Sequence, residues 1–163
     1  MDPPRYELRA PLPEDAALLL TLYAHTREEE LSAWGWPAPQ RLAFVQMQHR
    51  VREASYRASR PHVEDRVVCV EGMAVGRLLI DRSGDALQLV DVALLPGHRG
   101  RGLGMQLIAG LCAEADREGR AITLEVLEHN PAARLYLRLG FQVRARQPPY
   151  LAMTRDPLPP GEV

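Results

Sequence analysis

The run Asp91-Val92-Ala93-Leu94-Leu95-Pro96-Gly97-His98-Arg99-Gly100-Arg101-Gly102-Leu103-Gly104 changes character halfway. An apolar stretch with strand composition ends near Leu95, a proline-led turn follows, and a helical pattern begins by Gly102 or Leu103. A strand, a tight turn and a helix start in that order aim several unpaired backbone amides at one spot, which is a ready site for an anion. Glycines at 100, 102 and 104 leave the backbone free to take positive φ and remove side chains that would keep a diphosphate away from those amides. Arg99 and Arg101 add positive charge beside them.

Other phosphate-binding patterns fail on spacing. A dinucleotide fingerprint needs GxGxxG and a nucleoside triphosphate loop needs GxxxxGK before Ser or Thr. Here the sixth position from Gly100 is Met105, from Gly102 it is Leu107, and all 20 Lys+Arg residues are arginine. No Gly-x-Ser-x-Gly elbow of a serine hydrolase is present either.

Asp91 to Gly104 resembles the acyl-CoA motif Q/R-x-x-G-x-G/A of the GCN5-related N-acetyltransferase (GNAT) family, with Arg99 in its first position, Gly102 in its fourth and Gly104 in its sixth. A second family feature, an asparagine followed by Leu-Tyr and then Gly-Phe, recurs as Asn130, Leu135-Tyr136 and Gly140-Phe141. The resemblance covers roughly residues 87–141. It implies acetyl-CoA as acyl donor, with the backbone of Val92, Ala93 and Leu94 along the pantetheine arm. It also implies that the amides of Arg99, Gly100, Arg101, Gly102, Leu103 and Gly104 cradle the pyrophosphate, and that Tyr136 is the acid that reprotonates the departing thiolate. Asn130 precedes Tyr136 by six residues. It is implied as a pantetheine ligand, and its place before Pro131 equally suits a helix N-cap.

Transfer to an amine requires that the amine be neutral before attack. Glu125, Asp91 and Glu128 are the carboxylates considered for the base. Glu125 is preferred, with a chain of water molecules as an equal alternative.

Outward from the glycine segment, Leu103, Leu107, Ile108, Leu111 and Ala115 mark one face of a helix ending near Gly119. Before it, residues 66–71, 73–81 and 86–95 read as three antiparallel strands separated by turn signals at Glu71-Gly72 and Ser83-Gly84-Asp85. Further upstream, Tyr6 to Arg9 reads as a strand, and Pro13-Glu14-Asp15 opens a helix through Leu18, Leu19 and Leu22. Residues 27–40, with Glu28-Glu29-Glu30 and Trp34-Gly35-Trp36-Pro37, read as an irregular loop. A helix follows to about Ser59, with Phe44, Met47, Val51, Ala54 and Ala58 as its apolar stripe. Downstream come a strand at 121–127, a helix carrying Ala132, Leu135, Tyr136 and Leu139, and strands from Gly140 and from Tyr150. The order β-α-α-β-β-β-α-β-α-β-β is that of an α/β (α+β) fold. The family likeness implies a mixed, mostly antiparallel central sheet flanked by helices. One domain is expected over residues 1–155, with a loose proline-rich tail at 156–163.

The formal net charge of −1 gives no basic field for nucleic acid, and the apolar stretches are too short for a membrane span. The first residues do not read as a secretory signal. Cys69 and Cys112 sit in apolar segments without partners, which suits reduced thiols and a cytoplasmic location. His25, His49, His62, His98 and His129 lack zinc spacing, so no metal is expected. The acceptor is expected to be an amine of a small molecule or peptide. Glu28, Glu29 and Glu30 would either attract a cationic amine or form a solvated face, while Trp34 and Trp36 would either wall an acceptor pocket or lock a loop. A homodimer is expected, and a non-catalytic acyl-CoA-binding module is the alternative to an enzyme.

Overall fold

The computed structural model describes residues 5–159. Strand β1 (Tyr6–Arg9) leads through a short 3₁₀ turn at Pro13–Asp15 into α1 (Ala16–Ala33), which is followed by α2 (Ala38–Ser59). Then come β2 (Val63–Val70), β3 (Met73–Asp81), β4 (Leu87–Leu94), α3 (Leu103–Glu118), β5 (Ile122–Leu127), α4 (Ala132–Arg138), β6 (Gln142–Gln147) and β7 (Tyr150–Arg155). The strands form one sheet in the order β1-β2-β3-β4-β5-β7-β6. Every pairing is antiparallel except β4 with β5. The element order and the mixed, mostly antiparallel sheet flanked by helices are those expected from the sequence.

The principal core lies between the sheet and the face of α3 that carries Leu103, Leu107, Ile108, Leu111, Cys112 and Ala115, all buried. Val68, Leu78, Leu87, Leu89, Ile122 and Leu124 meet it from the strands. Truncating any of these buried leucines to alanine removes contacts worth about 2–5 kcal/mol. Both cysteines are free and buried. Among the tail residues described, Leu158 donates its amide to Asp116 at 2.9 Å and Asp156 accepts from Arg144 at 3.1 Å. Residues 160–163 of the expected loose tail lie outside the described residues.

Two expectations about the N-terminal half need correction. Residues 27–33 are helical, so the irregular segment shrinks to Trp34–Pro37. His25 with Glu28 and Arg27 with Glu30 pair at i,i+3 and support that last stretch of helix. The apolar stripe assigned to α2 faces inward only at Phe44: Met47 is 44% and Val51 60% exposed, while only Val45 is fully buried. The inward face of α2 is largely polar instead. His49, Arg52, Glu53 and Tyr56 recur there at helical spacing, and Arg52 and Glu53 meet charged groups on the sheet, while Phe44 and Val45 join a small apolar cluster with Tyr23 and Leu31 of α1.

Candidate functional site

Strands β4 and β5 are parallel neighbours over only three residue pairs, Leu87 with Ile122, Gln88 with Thr123 and Leu89 with Leu124. Beyond Leu89 they separate. On its other side β4 stays paired with β3 as far as Leu94, although the register shifts between Leu79/Asp91 and Ile80/Leu89 and leaves Val90 without a partner. Asp91, Val92, Ala93 and Leu94 therefore present a half-free edge toward β5. Val92 and Leu94 turn their side chains to the core, so main-chain groups line the gap.

The gap ends at the turn before α3. Gly100 at φ 73° and Gly102 at φ 82° take the left-handed region that other residues avoid, and Gly102 caps α3 with no side chain to satisfy the first-turn amides. The first helical bond there runs from Gln106 to Gly102. The amides from Gly100 to Met105 have no partner among the described residues. A Cβ at Gly100 would meet nothing within 4 Å, so this surface is open to a ligand. Leu103 is fully buried and anchors the helix start, while Arg99 bends back so that its Nε donates to Leu94 O at 3.0 Å and closes the turn. Arg101 is exposed. Chemically such a turn can hold an anion beside an open strand edge; Gly100 to Gly104 offer free amides there, whereas the Arg99 amide, expected among them, is already bonded to Pro96 O at 3.3 Å.

Tyr136 sits on α4, 5% exposed, its ring 5.5 Å from that of Phe141. Its hydroxyl has no hydrogen-bond partner among the described residues. Burial, and then the negative charge of Asp91, push its phenol up to about 12, so it stays protonated. Asn130 accepts from the Ala132 amide at 2.9 Å through Oδ1, which realises the capping role and leaves its Nδ2 hydrogens available. Glu125 is exposed on β5, opposite Ala152 of β7, on the face away from α3. Glu128 is exposed beyond the strand end.

Asp91 is the more constrained carboxylate. Burial pushes it above the ordinary carboxylate range, while Arg52, Arg77 and the Val92 amide pull it down. Arg52 Nη2 lies 3.3 Å from Asp91 Oδ2, and Arg77 is clamped by Glu53 and by Asp65, the latter at 2.7 and 3.0 Å. His49 stands on the same face of α2. Burial, reinforced by Arg77 and Arg52, lowers its pKa despite the opposing Glu53, so the imidazole is neutral and its Nδ1 is buried without a partner. This network is invisible to apolar periodicity. Its only trace in the sequence is the polar i, i+3, i+4, i+7 series His49, Arg52, Glu53 and Tyr56.

Over β2 and β3, between α1 and α2, lies a groove of about 610 Å³ lined by Leu19, Leu20, His49, Glu53, Arg77 and Leu79, among others. A small hollow that shares His49, Glu53 and Arg77 with it reaches Asp91 and Ala93. Glu28 and Glu30 are paired and lie off this groove, and Trp34 and Trp36 pack tilted against each other and edge-on against Phe44 at the helix turn. Nothing is described of the Glu29 side chain. Among the described residues no cluster has the composition of a metal site, and no helix is long and apolar enough to cross a membrane.

Residues 62–143 match the family model described as an acetyltransferase (GNAT) domain. The chain belongs to the GNAT family. That family transfers acetyl groups from acetyl-CoA. Solved GNAT structures share the fold: the PaiA N-acetyltransferase from Thermoplasma acidophilum, in complex with coenzyme A, is 14% identical with a TM-score of 0.67, over 93% of this chain and 99% of that one. An acetyltransferase from Thermus thermophilus is 22% identical with a TM-score of 0.65, over 96% and 99% of the two chains.

Proposed function

We propose that this GNAT protein is an N-acetyltransferase that moves an acetyl group from acetyl-CoA to a primary amine of a small molecule or peptide by direct attack. The observation that carries this reading is the row of unpartnered amides from Gly100 to Met105 at the head of α3, continuous with the open edge of β4. The residues fit the donor: the free amides from Gly100 to Gly104 would hold the pyrophosphate, with the Arg99 amide already bonded to Pro96 O at 3.3 Å, the main chain of Val92, Ala93 and Leu94 would pair with the pantetheine arm, and Asn130 offers Nδ2. When bound, acetyl-CoA supplies the activated acyl carbon.

The chain's own groups handle the protons. Of the carboxylates considered, Asp91 is better suited as base than Glu125, because its half-buried position raises its proton affinity while Glu125 is solvated on β5. Asp91, directly or through water, takes the proton that the attacking amine sheds as the N–C bond forms. Tyr136, protonated at every working pH, gives its proton to the sulfur as the C–S bond breaks. A calorimetric titration with acetyl-CoA, followed by an amine panel monitored for free thiol, tests the reading. Heat of binding together with thiol release supports it; heat without thiol, for every amine, leaves only an acyl-CoA-binding module.

A further inference from the structure

The groove between α1 and α2 has a charge pattern that the acetyl-transfer reading does not use. Its size suits a small molecule, and Leu19, Leu20 and Leu79 give it apolar walls. The charge of Arg77 at its floor is spent on Glu53 and Asp65. Two guanidiniums in the lining, Arg50 and Arg57, are exposed and have no carboxylate partner among the described residues. They lie two helical turns apart on one side of α2, roughly 10 Å along its axis.

The inner end differs. Leu79 of the groove floor pairs directly with Asp91 on the neighbouring strand, and Arg77 with Ala93, so the groove lies one strand away from the candidate base. His49 lines both the groove and the hollow at Asp91, and its buried Nδ1, 3.8 Å from Glu53 Oε1, makes no hydrogen bond among the described residues, which leaves it open to one from a ligand. The Asp91 carboxylate, shared with Arg52 and reached through the hollow, an imidazole nitrogen without a hydrogen bond between, and two guanidiniums without carboxylate partners in the wall complement a ligand with separated charges of opposite sign.

We propose that this groove seats the acetyl acceptor and that the acceptor is an amine bearing an anionic oxygen group, carboxylate or phosphate, held by Arg50 and Arg57 with the amine toward Asp91. The proposal rests on the acetyl-transfer reading and refines its substrate. It differs from the sequence-based expectation of a cationic amine drawn by the acidic run at residues 28–30.

The test compares δ-aminovalerate and an aminoalkyl phosphate with the plain alkylamine of matching length and with the methyl ester of δ-aminovalerate, using thiol release from acetyl-CoA. The expected result is a kcat/KM for the anionic amines at least about tenfold above that of the neutral-tailed ones, as a charge-assisted guanidinium contact gives. In the double variant R50Q/R57Q that ratio falls toward one, mainly through KM. Both side chains are exposed, and an unchanged melting temperature verifies the fold. Equal use of anionic and neutral-tailed amines, or a ratio unmoved by the double substitution, overturns the proposal. Should no amine turn over, titration calorimetry of δ-aminovalerate decides it: binding weakened about tenfold in R50Q/R57Q supports the site, and no heat at millimolar concentration overturns it. Failure of the acetyl-transfer reading itself appears separately, as absence of heat with acetyl-CoA.

Discussion

Arg52 of α2 reaches the Asp91 carboxylate of β4 at 3.3 Å while its guanidinium lies over the rings of Tyr23 at 5.3 Å and Tyr56 at 5.2 Å, and its Nε donates to the Tyr56 hydroxyl at 2.8 Å. The cation is thus stacked, hydrogen-bonded and aimed before any substrate arrives. A guanidinium fixed in this way opposes the upward push of burial on the carboxylate and holds it toward α2.

The sign of its effect follows. Burial pushes Asp91 up, Glu53 adds to that, and Arg52, Arg77 and the Val92 amide oppose it. Replacing Arg52 by Gln removes the first of the opposing charges, so the acidic limb of the kcat/KM profile moves to higher pH and activity near neutrality falls. Arg52→Lys restores the limb in part, because the charge returns without the planar stack. A uniform loss of rate with the limb unmoved would show that Arg52 serves only to hold the fold.

Tyr136→Phe separates binding from chemistry. The phenol is pushed up to about 12 by burial and by Asp91, so it is a proton donor across the working pH range, and its hydroxyl has no protein partner to lose. Turnover is expected to fall about a hundredfold, the scale of a missing general acid, with acetyl-CoA affinity by calorimetry and the melting temperature little changed. Turnover equal to that of the unaltered protein would remove Tyr136 from the reaction.

Where the sequence is informative, local chemistry and tertiary structure agree. The turn before α3 is legible because positive φ at Gly100 and Gly102 is written in residue type, and α3 because its buried face is wholly apolar. The face of α2 is not legible. Hydrophobic periodicity selects Met47 and Val51, but the helix is held inward by ion pairs to Arg77 and Asp91, distant in sequence, and a pairing of charges leaves no periodic apolar mark. The acidic base is likewise ambiguous, since Asp91 and Glu125 differ in burial rather than in residue type.

Gly76 offers a check on the cofactor edge from behind. It pairs with Leu94, and a Cβ there would come within 2.6 Å of both Ala93 O and Leu94 Cδ2. The carbonyl belongs to the strand and cannot rotate away, so Gly76→Ala must push β4 toward the gap. The expected cost is about 1–3 kcal/mol of stability, read as a lower melting temperature together with weaker acetyl-CoA binding. Loss of stability with full affinity would mean that β4 does not hold the pantetheine arm.

Asp15 couples the first strand to α1, one wall of the groove. Its carboxylate accepts from Arg9 at 2.7 and 2.9 Å and from the Leu12 amide at 2.7 Å, with 4% of the residue exposed. The Arg9 bonds, then the Leu12 amide, lower it to about 2. A carboxyl held below its unfolded value stabilises the native state above that unfolded value, near 3.9, and the contribution disappears as pH falls toward the folded one. Asp15→Asn should therefore lower the melting temperature at neutral pH, and the gap between the two proteins should close as pH drops from about 4 to about 2. Melting curves recorded across that interval check it, and a gap independent of pH would mean that the asparagine disturbs packing rather than removing a charge. Because α1 carries Leu19 and Leu20 of the groove, acetyl acceptor binding should weaken in the variant along with the helix anchor, while acetyl-CoA affinity, proposed to be set at the head of α3 and the edge of β4, should change less.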